Sequence, residues 1–342
     1  MVDFDAVSRN AALFNGPRHT VSRVAERTGA SIHQPSAVSV KLRDKLLSKF
    51  YGQPEHWSLA RRFVKQSAGN EVVFCLGQDV GIPLAVISVI ASKPLKIAMS
   101  TMSPERLGFK LLMKLLGLNR KITLFIVNDK QKECFLESVL SVDRGNILKL
   151  PEQTDELFFI PAQEPVHNDV PIIASAGLEQ RDYDTLAKAT KDLPVKVKIC
   201  AFSPNITKKQ KVSMPEVQPE NMEIRHFSFS ELRGLYQHAS VVVVSLLENN
   251  YSAGLTVLME AMACNRPVII TKNEGLANDL SDKGVVIGTK PSDVEGLKNA
   301  ISMLLNNQKF ADDLAKKGHE YFLQHHTSEH YVELLSQKLL SM

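Results

Sequence analysis

Within the run Val257-Leu-Met-Glu-Ala-Met-Ala263 a single carboxylate, Glu260, sits among apolar side chains. The run reads as a helix that is apolar on both sides. A carboxylate taken out of water there is costly unless something binds it. Its Cβ leans toward the N-terminal end of the helix. At that end lies a small polar loop, residues 249–254, preceded by four consecutive valines, 241–244. A glycine-bearing loop between a strand and a helix offers unpaired backbone N–H groups and a positive dipole end, which together suit an anion such as phosphate. Glu260 would then hold a vicinal diol, such as that of a ribose, through two hydrogen bonds. The competing readings are a Glu that caps backbone amides or one that pairs with Arg266.

The elements that must position these residues follow from the hydrophobic pattern. Residues 71–76, 96–99 and 122–127 read as strands, with a helix over 82–91. Ser103 followed by Pro104 reads as an N-cap and first helical position, opening a helix to about Leu118. The alternation restarts with strands over 171–174, 195–201, 241–244 and 268–270, and helices over 184–190 and 256–264. Ser228-x-x-Glu231 is a capping box for a helix to His238, and Ser292-x-x-Glu295 is read as capping another. Strands alternating with helices predict parallel sheets in an α/β layer fold. Ligands then belong at the carboxyl ends of the strands. Pro161, Pro165 and Pro171 mark a stiff linker and place the domain boundary near 165. The first 70 residues show no traceable strand.

Composition limits the choices. The chain has 342 residues, enough for two domains, and 44 % are hydrophobic, which excludes a disordered or fibrous chain. A net charge of +4, evenly spread, gives no footprint for nucleic acid. Cys75, Cys134, Cys200 and Cys264 form no CxxC pair, which excludes a zinc ribbon or a thioredoxin-type site. They read as small core side chains in a reducing compartment. The N-terminus lacks the apolar core of a secretory signal, and the longest apolar run, 81–91, is too short to span a bilayer. The expectation is a soluble, cytoplasmic, two-domain protein.

The stretch Asn250-Tyr-Ser-Ala-Gly-Leu-Thr-Val-Leu-Met-Glu-Ala-Met-Ala-Cys-Asn-Arg-Pro-Val-Ile269 resembles the donor-binding signature of the retaining glycosyltransferases of family 4, which have the GT-B fold. Flanking segments at 153–161, 174–186, 273–280 and 290–301 resemble neighbouring parts of the same family. The resemblance implies an α/β GT-B architecture, two Rossmann-like domains facing a central cleft. Residues 1–165 would form the acceptor side, 166–327 the nucleotide-sugar donor domain, and helix 328–342 would pack back on the first domain. It implies a retaining transferase that moves a hexose from a nucleotide-diphospho-sugar, UDP- or GDP-linked, to an acceptor the sequence does not name. Glu260 matches the family's ribose-binding Glu. Ser252, Ala253, Gly254, Leu255 and Thr256 match its diphosphate loop. Arg181 falls near the family's basic phosphate-binding residue, the alternative being a solvated pair with Asp182 or Asp184. Phe227 and Ser228 match the segment bordering the nucleobase, and Asn249 or Asn250 would cover sugar hydroxyls. The family generally works without a metal, so none is assigned, and the three-residue patterns Asp3-Phe-Asp5 and Asp182-Tyr-Asp184 are not read as metal sites.

Departures from the pattern favour an alternative. Where the family often has a second Glu, this chain has Ser252, as some members of the family do, and this position does not bear on the alternative. Its N-terminal glycine-rich loop has only Asn15-Gly-Pro-Arg18 as a counterpart, and its first-domain histidine is replaced by the region of Met102 and Ser103. A non-catalytic nucleotide-sugar-binding or scaffolding subunit of a glycosylation complex is therefore the second reading. A dinucleotide-dependent oxidoreductase is disfavoured, because no GxGxxG follows any strand. His325, His326 and His330 lack acidic or thiol partners and are not read as metal ligands. Helix 105–118, with Arg106, Lys110 and Lys114, is basic and amphipathic and would suit a peripheral membrane contact as well as packing on a sheet.

Overall fold

The computed structural model describes residues 2–36, 40–164, 167–201, 211–249, 252–273 and 275–342. The chain divides into two compact units. One comprises Met1–Phe4, Thr20–Pro151 and Val332–Met342, the other Asp5–His19 and Glu152–Tyr331. The division falls after Pro151, where the sequence reading placed it near 165, and residues 5–19 join the second unit. The reason is local. Arg18 binds the Asp155 carboxylate through its backbone N–H (2.6 Å) and its guanidinium (2.6–3.1 Å), and reaches Glu156 at 2.8 Å. Phe158 and Phe159 are buried in the core of the second unit. Residues 152–161 are thus packed structure and not linker. Pro165 and Val166 lie outside the described residues.

Among the described residues four α-helices precede the first strand: α1 (Phe4–Ala12), α2 (Thr20–Thr28), α3 (Leu42–Leu47) and α4 (Pro54–Gln66). They account for the missing strand signal in the first 70 residues. In the first unit β1 (Val72–Cys75), α5 (Gln78–Ile90), β2 (Lys96–Ser100), α6 (Leu107–Leu115), β3 (Leu124–Val127), α7 (Lys130–Leu140) and β4 (Ile147–Lys149) follow in order. The four strands pair in parallel as β1-β2-β3-β4. The order advances one way only, so this sheet has no point where it reverses. Ile97, Met99, Phe125 and Val127 pack with Ile82, Phe109, Met113 and Leu136.

The predicted helix start at Ser103 is corrected. Gln78 holds the Ser103 backbone, its Oε1 accepting the N–H at 2.8 Å and its Nε2 donating to the carbonyl at 3.2 Å. Ser103 is therefore fixed outside the helix, and α6 begins only after Arg106.

The second unit runs β5 (Ile172–Ala176), β6 (Arg181–Asp182), α8 (Tyr183–Thr190), β7 (Lys196–Cys200), β8 (Val212–Ser213), β9 (Met222–Arg225), α9 (Phe229–His238), β10 (Val241–Val244), α10 (Leu255–Ala263), β11 (Val268–Thr271), α11 (Leu276–Asp282), β12 (Ile287–Thr289), α12 (Val294–Asn306) and α13 (Gln308–His325). Helix α14 (Ser328–Leu340) begins in this unit and ends in the first. The main sheet is parallel, in the order β12-β11-β10-β5-β7-β9. The chain starts in the middle, winds out through β7 and β9, then returns to β10 and winds the other way. The reversal point lies between β5 and β10, where a doubly wound sheet opens a crevice at its strand ends.

Both faces of this sheet are covered. Val242 and Val244 pack with Tyr236, Leu258 and Met262, while Val241 and Val243 pack with Leu186, Ile301 and Leu304. That is why four valines run without a polar break. The capping box at Ser228 and Glu231 is formed. The one assigned to Ser292 is not: Ser292 has φ +56°, and Asp293 caps α12 by accepting the Gly296 N–H at 2.8 Å. Among the described residues no helix is long and apolar enough to cross a membrane.

Candidate functional site

Three loops leave the carboxyl ends of β5, β10 and β11 and are hydrogen-bonded to one another. The Asp182 N–H donates to the Ser245 carbonyl at 3.0 Å, and the Leu247 N–H to the Gln180 carbonyl at 2.9 Å. The Leu246 N–H donates to Thr271 Oγ1 at 2.9 Å, and the Asn249 N–H to Asn273 Oδ1 at 3.3 Å. The loops that frame the reversal point are thereby fixed by side chains and backbone together.

Arg181 is folded into this frame, with 4 % of its surface exposed. Its Nε donates to the Ala176 carbonyl at 2.7 Å and its Nη1 to the Glu179 carbonyl at 2.8 Å. The turn is built for it. Gly177 has φ +90°, and a Cβ there would lie 2.6 Å from Arg181 Nη2. Tyr183 donates its hydroxyl to the Gly177 carbonyl at 2.5 Å. The expected alternative, a pair with Asp182 or Asp184, is not formed. Asp182 caps α8 through the Thr185 N–H and hydroxyl, and Asp184 pairs with Lys188. Among the described residues the hydrogen bonds of Arg181 go to these two carbonyls and no carboxylate lies within ion-pair distance of it, although its charge is felt by Tyr183 and Glu260.

Gly254 brings α10 to the same place. It is the N-cap, with φ +77°, and no side chain caps the helix. A Cβ on Gly254 would lie 2.5 Å from Val244 Cγ1 and 3.5 Å from Arg181 Nη1, so glycine alone lets the strand, the helix start and the guanidinium meet. The first intrahelical bond is from the Leu258 N–H to the Gly254 carbonyl, 3.1 Å. The N–H groups of Leu255, Thr256 and Val257 therefore have no partner within the helix, and the positive dipole end faces Arg181. Ala253 and Leu255 are buried in the core, so only their backbone can serve a ligand, whereas Thr256 is exposed. The Ser252 hydroxyl fills the space a side chain at Gly275 would need.

Glu260 lies further along α10, every residue of which is buried except Thr256. It pairs with no backbone amide and not with Arg266, whose guanidinium binds the Cys264 and Ala239 carbonyls. Among the described residues its one hydrogen bond comes from Tyr236 of α9, whose hydroxyl donates to Oε2 at 2.9 Å. Burial pushes the Glu260 carboxyl up to about 7, against the opposing effects of the Tyr236 hydroxyl and the Arg181 charge. Burial likewise raises the Tyr236 hydroxyl and the thiols of Cys200 and Cys264, each further raised by the nearby Glu260 charge. Cys75 is buried too, but Cys134 is exposed and is not the core residue expected of it.

The sequence-predicted residues thus fall into three groups. Arg181, Gly254, Leu255 and Thr256 converge at the reversal point, with Glu260 behind them on the same helix. Phe227 and Ser228 sit at the end of β9, two strands from β5, or about 10 Å along the sheet. Phe227 is buried beneath the Arg225 guanidinium at 3.7 Å, and Ser228 is exposed, its hydroxyl engaged in the α9 cap. Asn250 lies outside the described residues. Arg18, from the segment considered as a glycine-rich loop, is held by Asp155 and Glu156. Tyr236, Tyr183, Thr271 and Asn273 were missed. Tyr236, Thr271 and Asn273 act through residues 24 or 25 positions away, where no local spacing marks them, and Tyr183 acts through the Gly177 carbonyl six residues earlier.

Residues 172–307 match the family model Glycosyl transferases group 1. No curated protein sequence gives a significant match to the chain. Similar solved structures include sucrose-phosphate synthase from Thermosynechococcus elongatus (17 % identity, 90 % of this chain and 82 % of that one, TM-score 0.63). Anabaena HepE in complex with UDP and glucose is similar over 95 % of this chain and 90 % of that one (13 % identity, TM-score 0.66). The UDP-forming α,α-trehalose-phosphate synthase of Burkholderia vietnamiensis is similar over 94 % and 93 % (11 % identity, TM-score 0.65). The fold is that of the GT-B glycosyltransferases.

Proposed function

We propose that the chain is a retaining glycosyltransferase that binds a nucleotide-diphospho-hexose at the reversal point of its second unit and transfers the sugar to an acceptor. The observation that carries this reading is the buried Arg181 guanidinium, without a carboxylate in ion-pair contact among the described residues, set against the open N-terminus of α10. The match over residues 172–307 and the UDP complexes of a structural neighbour support it.

In this reading the diphosphate lies on the N–H groups of 254–257 with Arg181 on its outer oxygens, and Glu260 takes the ribose hydroxyls. The bond from the sugar's anomeric carbon to the phosphate oxygen breaks, and the acceptor oxygen bonds to that carbon on the same face. The acceptor proton passes to the leaving phosphate, and Arg181 and the helix dipole stabilise the negative charge that grows there. No metal cofactor is invoked and no protein nucleophile is needed.

A second reading, a donor-binding subunit without catalysis, is favoured by one observation. Among the described residues the first unit's sheet advances β1-β2-β3-β4 without the reversal at which an open α/β sheet takes a ligand. A thermal-shift panel of UDP, GDP, ADP and their hexose conjugates, followed by assay of released nucleotide, separates the two. Stabilisation with slow hydrolysis of the sugar conjugate supports the transferase. Stabilisation with no release, even with lysate as acceptor, supports the subunit.

A further inference from the structure

We propose that the first unit docks on an anionic lipid surface through α3 and α6. The two segments share one pattern that neither the fold nor the donor site explains. Around α3 the doublets Lys41-Leu42, Lys45-Leu46 and Lys49-Phe50 recur every four residues. Around α6 the doublets Arg106-Leu107, Lys110-Leu111 and Lys114-Leu115 do the same. Residues four apart on a helix lie on one face, one turn above another, and Lys49 and Phe50 follow in the turn that closes α3.

In each segment the apolar row faces water. Leu42, Leu46 and Phe50 are 75 %, 51 % and 80 % exposed, and Leu107, Leu111 and Leu115 are 72 %, 48 % and 77 % exposed. Packing does not require these rows, because α6 is anchored from its other side by Phe109 and Met113, both fully buried. The two segments meet at one point: the Tyr51 ring, next to Phe50, packs on the first unit's core and lies 3.9 Å from where a Cβ on Gly108, next to Leu107, would stand.

Charge selects the partner. Segments 41–50 and 105–121 carry nine basic residues against two acidic ones, a larger excess than the +4 of the whole chain. One of those acids, Asp44, is buried in an ion pair with Arg61 at 2.7 Å and so does not offset the surface charge. Long aliphatic side chains edged at every turn by a cation, with few hydrogen-bonding side chains between them, fit acyl chains beneath anionic headgroups. They offer little with which to read a peptide. The lysine stems lie along the apolar rows while their ammonium groups reach the headgroups.

Co-sedimentation of the full chain with vesicles of phosphatidylcholine, with and without phosphatidylglycerol, tests this. The unmodified chain is expected to sediment with the anionic vesicles only, and less as salt rises. The variant Leu42→Ser/Phe50→Ser/Leu107→Ser/Leu115→Ser alters exposed positions only. It is expected to keep its thermal midpoint and lose at least tenfold in vesicle affinity, as is Lys45→Glu/Lys114→Glu. Absence of sedimentation with anionic vesicles at low salt would overturn the proposal. So would self-association of the unmodified chain, seen by sedimentation velocity and abolished by the same serines, since the occupant would then be a second copy. Neither result bears on the donor site.

Discussion

Tyr236 donates its hydroxyl to Glu260 across 2.9 Å, from α9 to α10, and both residues are buried. The carboxylate has no other hydrogen bond among the described residues, and burial lifts it to about 7. A fold that wanted only stability would place an apolar residue here. In the proposed function a ligand completes the pair.

Stability carries the first consequence. The folded carboxyl titrates near 7 and the unfolded one near its ordinary value of 4.5. Between those values the folded state holds a proton that the unfolded state does not. The stability this contributes is therefore present below about pH 4.5 and lost as pH rises to 7. The loss is at most ~3 kcal/mol. Urea unfolding of the unmodified chain and of Glu260→Gln should diverge by up to that amount between pH 4.5 and pH 8, in favour of Gln at the higher pH. A difference that does not change with pH would contradict the assignment.

Tyr236→Phe removes the one hydrogen bond that favours the ionised carboxylate. The Glu260 carboxyl should titrate higher in this variant, and the pH at which nucleotide binding reaches half its full strength should rise with it. Affinities measured from pH 5.5 to 8.5 check this, because the nucleotide's own phosphate titration is common to both proteins. The variant should also lose about 1 kcal/mol of stability. An unmoved pH midpoint would reduce Tyr236 to a packing residue.

Gly177→Ala and Gly254→Ala should act differently despite being the same change. At Gly254 the new methyl meets Val244 within β10, so the cost, about 1–3 kcal/mol, falls on folding. At Gly177, where φ is also positive, it meets the guanidinium end of Arg181, so part of the cost falls on the position of that side chain. Gly177→Ala should therefore lose more nucleotide affinity per kcal/mol of lost stability than Gly254→Ala. Parallel unfolding and binding titrations distinguish them, and equal ratios would contradict the role given to the Arg181 turn.

The second unit was legible in the sequence because its signals are local. Four valines need a sheet covered on both faces, Ser228 and Glu231 close a cap three residues apart, and Gly254 opens a helix. The rest depends on contacts between distant residues. Tyr236 reaches Glu260 from a different helix, 24 residues away. Ser103 looked like a helix start and is instead held by Gln78, 25 residues earlier. Ser292 lost its cap to Asp293 because its backbone turned to positive φ. The prolines after 160 suggested a linker, yet the segment before them is fastened by Arg18, whose partners lie more than 130 residues ahead.

Calorimetric titration of UDP, GDP and ADP into the unmodified chain and into Arg181→Ala, at pH 8, tests the central claim most directly. The donor site predicts that one nucleoside diphosphate binds the unmodified chain. It also predicts that Arg181→Ala weakens it at least tenfold, about 1.4 kcal/mol or more, while the matching nucleoside loses little. Equal affinity of the diphosphate for both proteins, or no binding of any of the three, would contradict it.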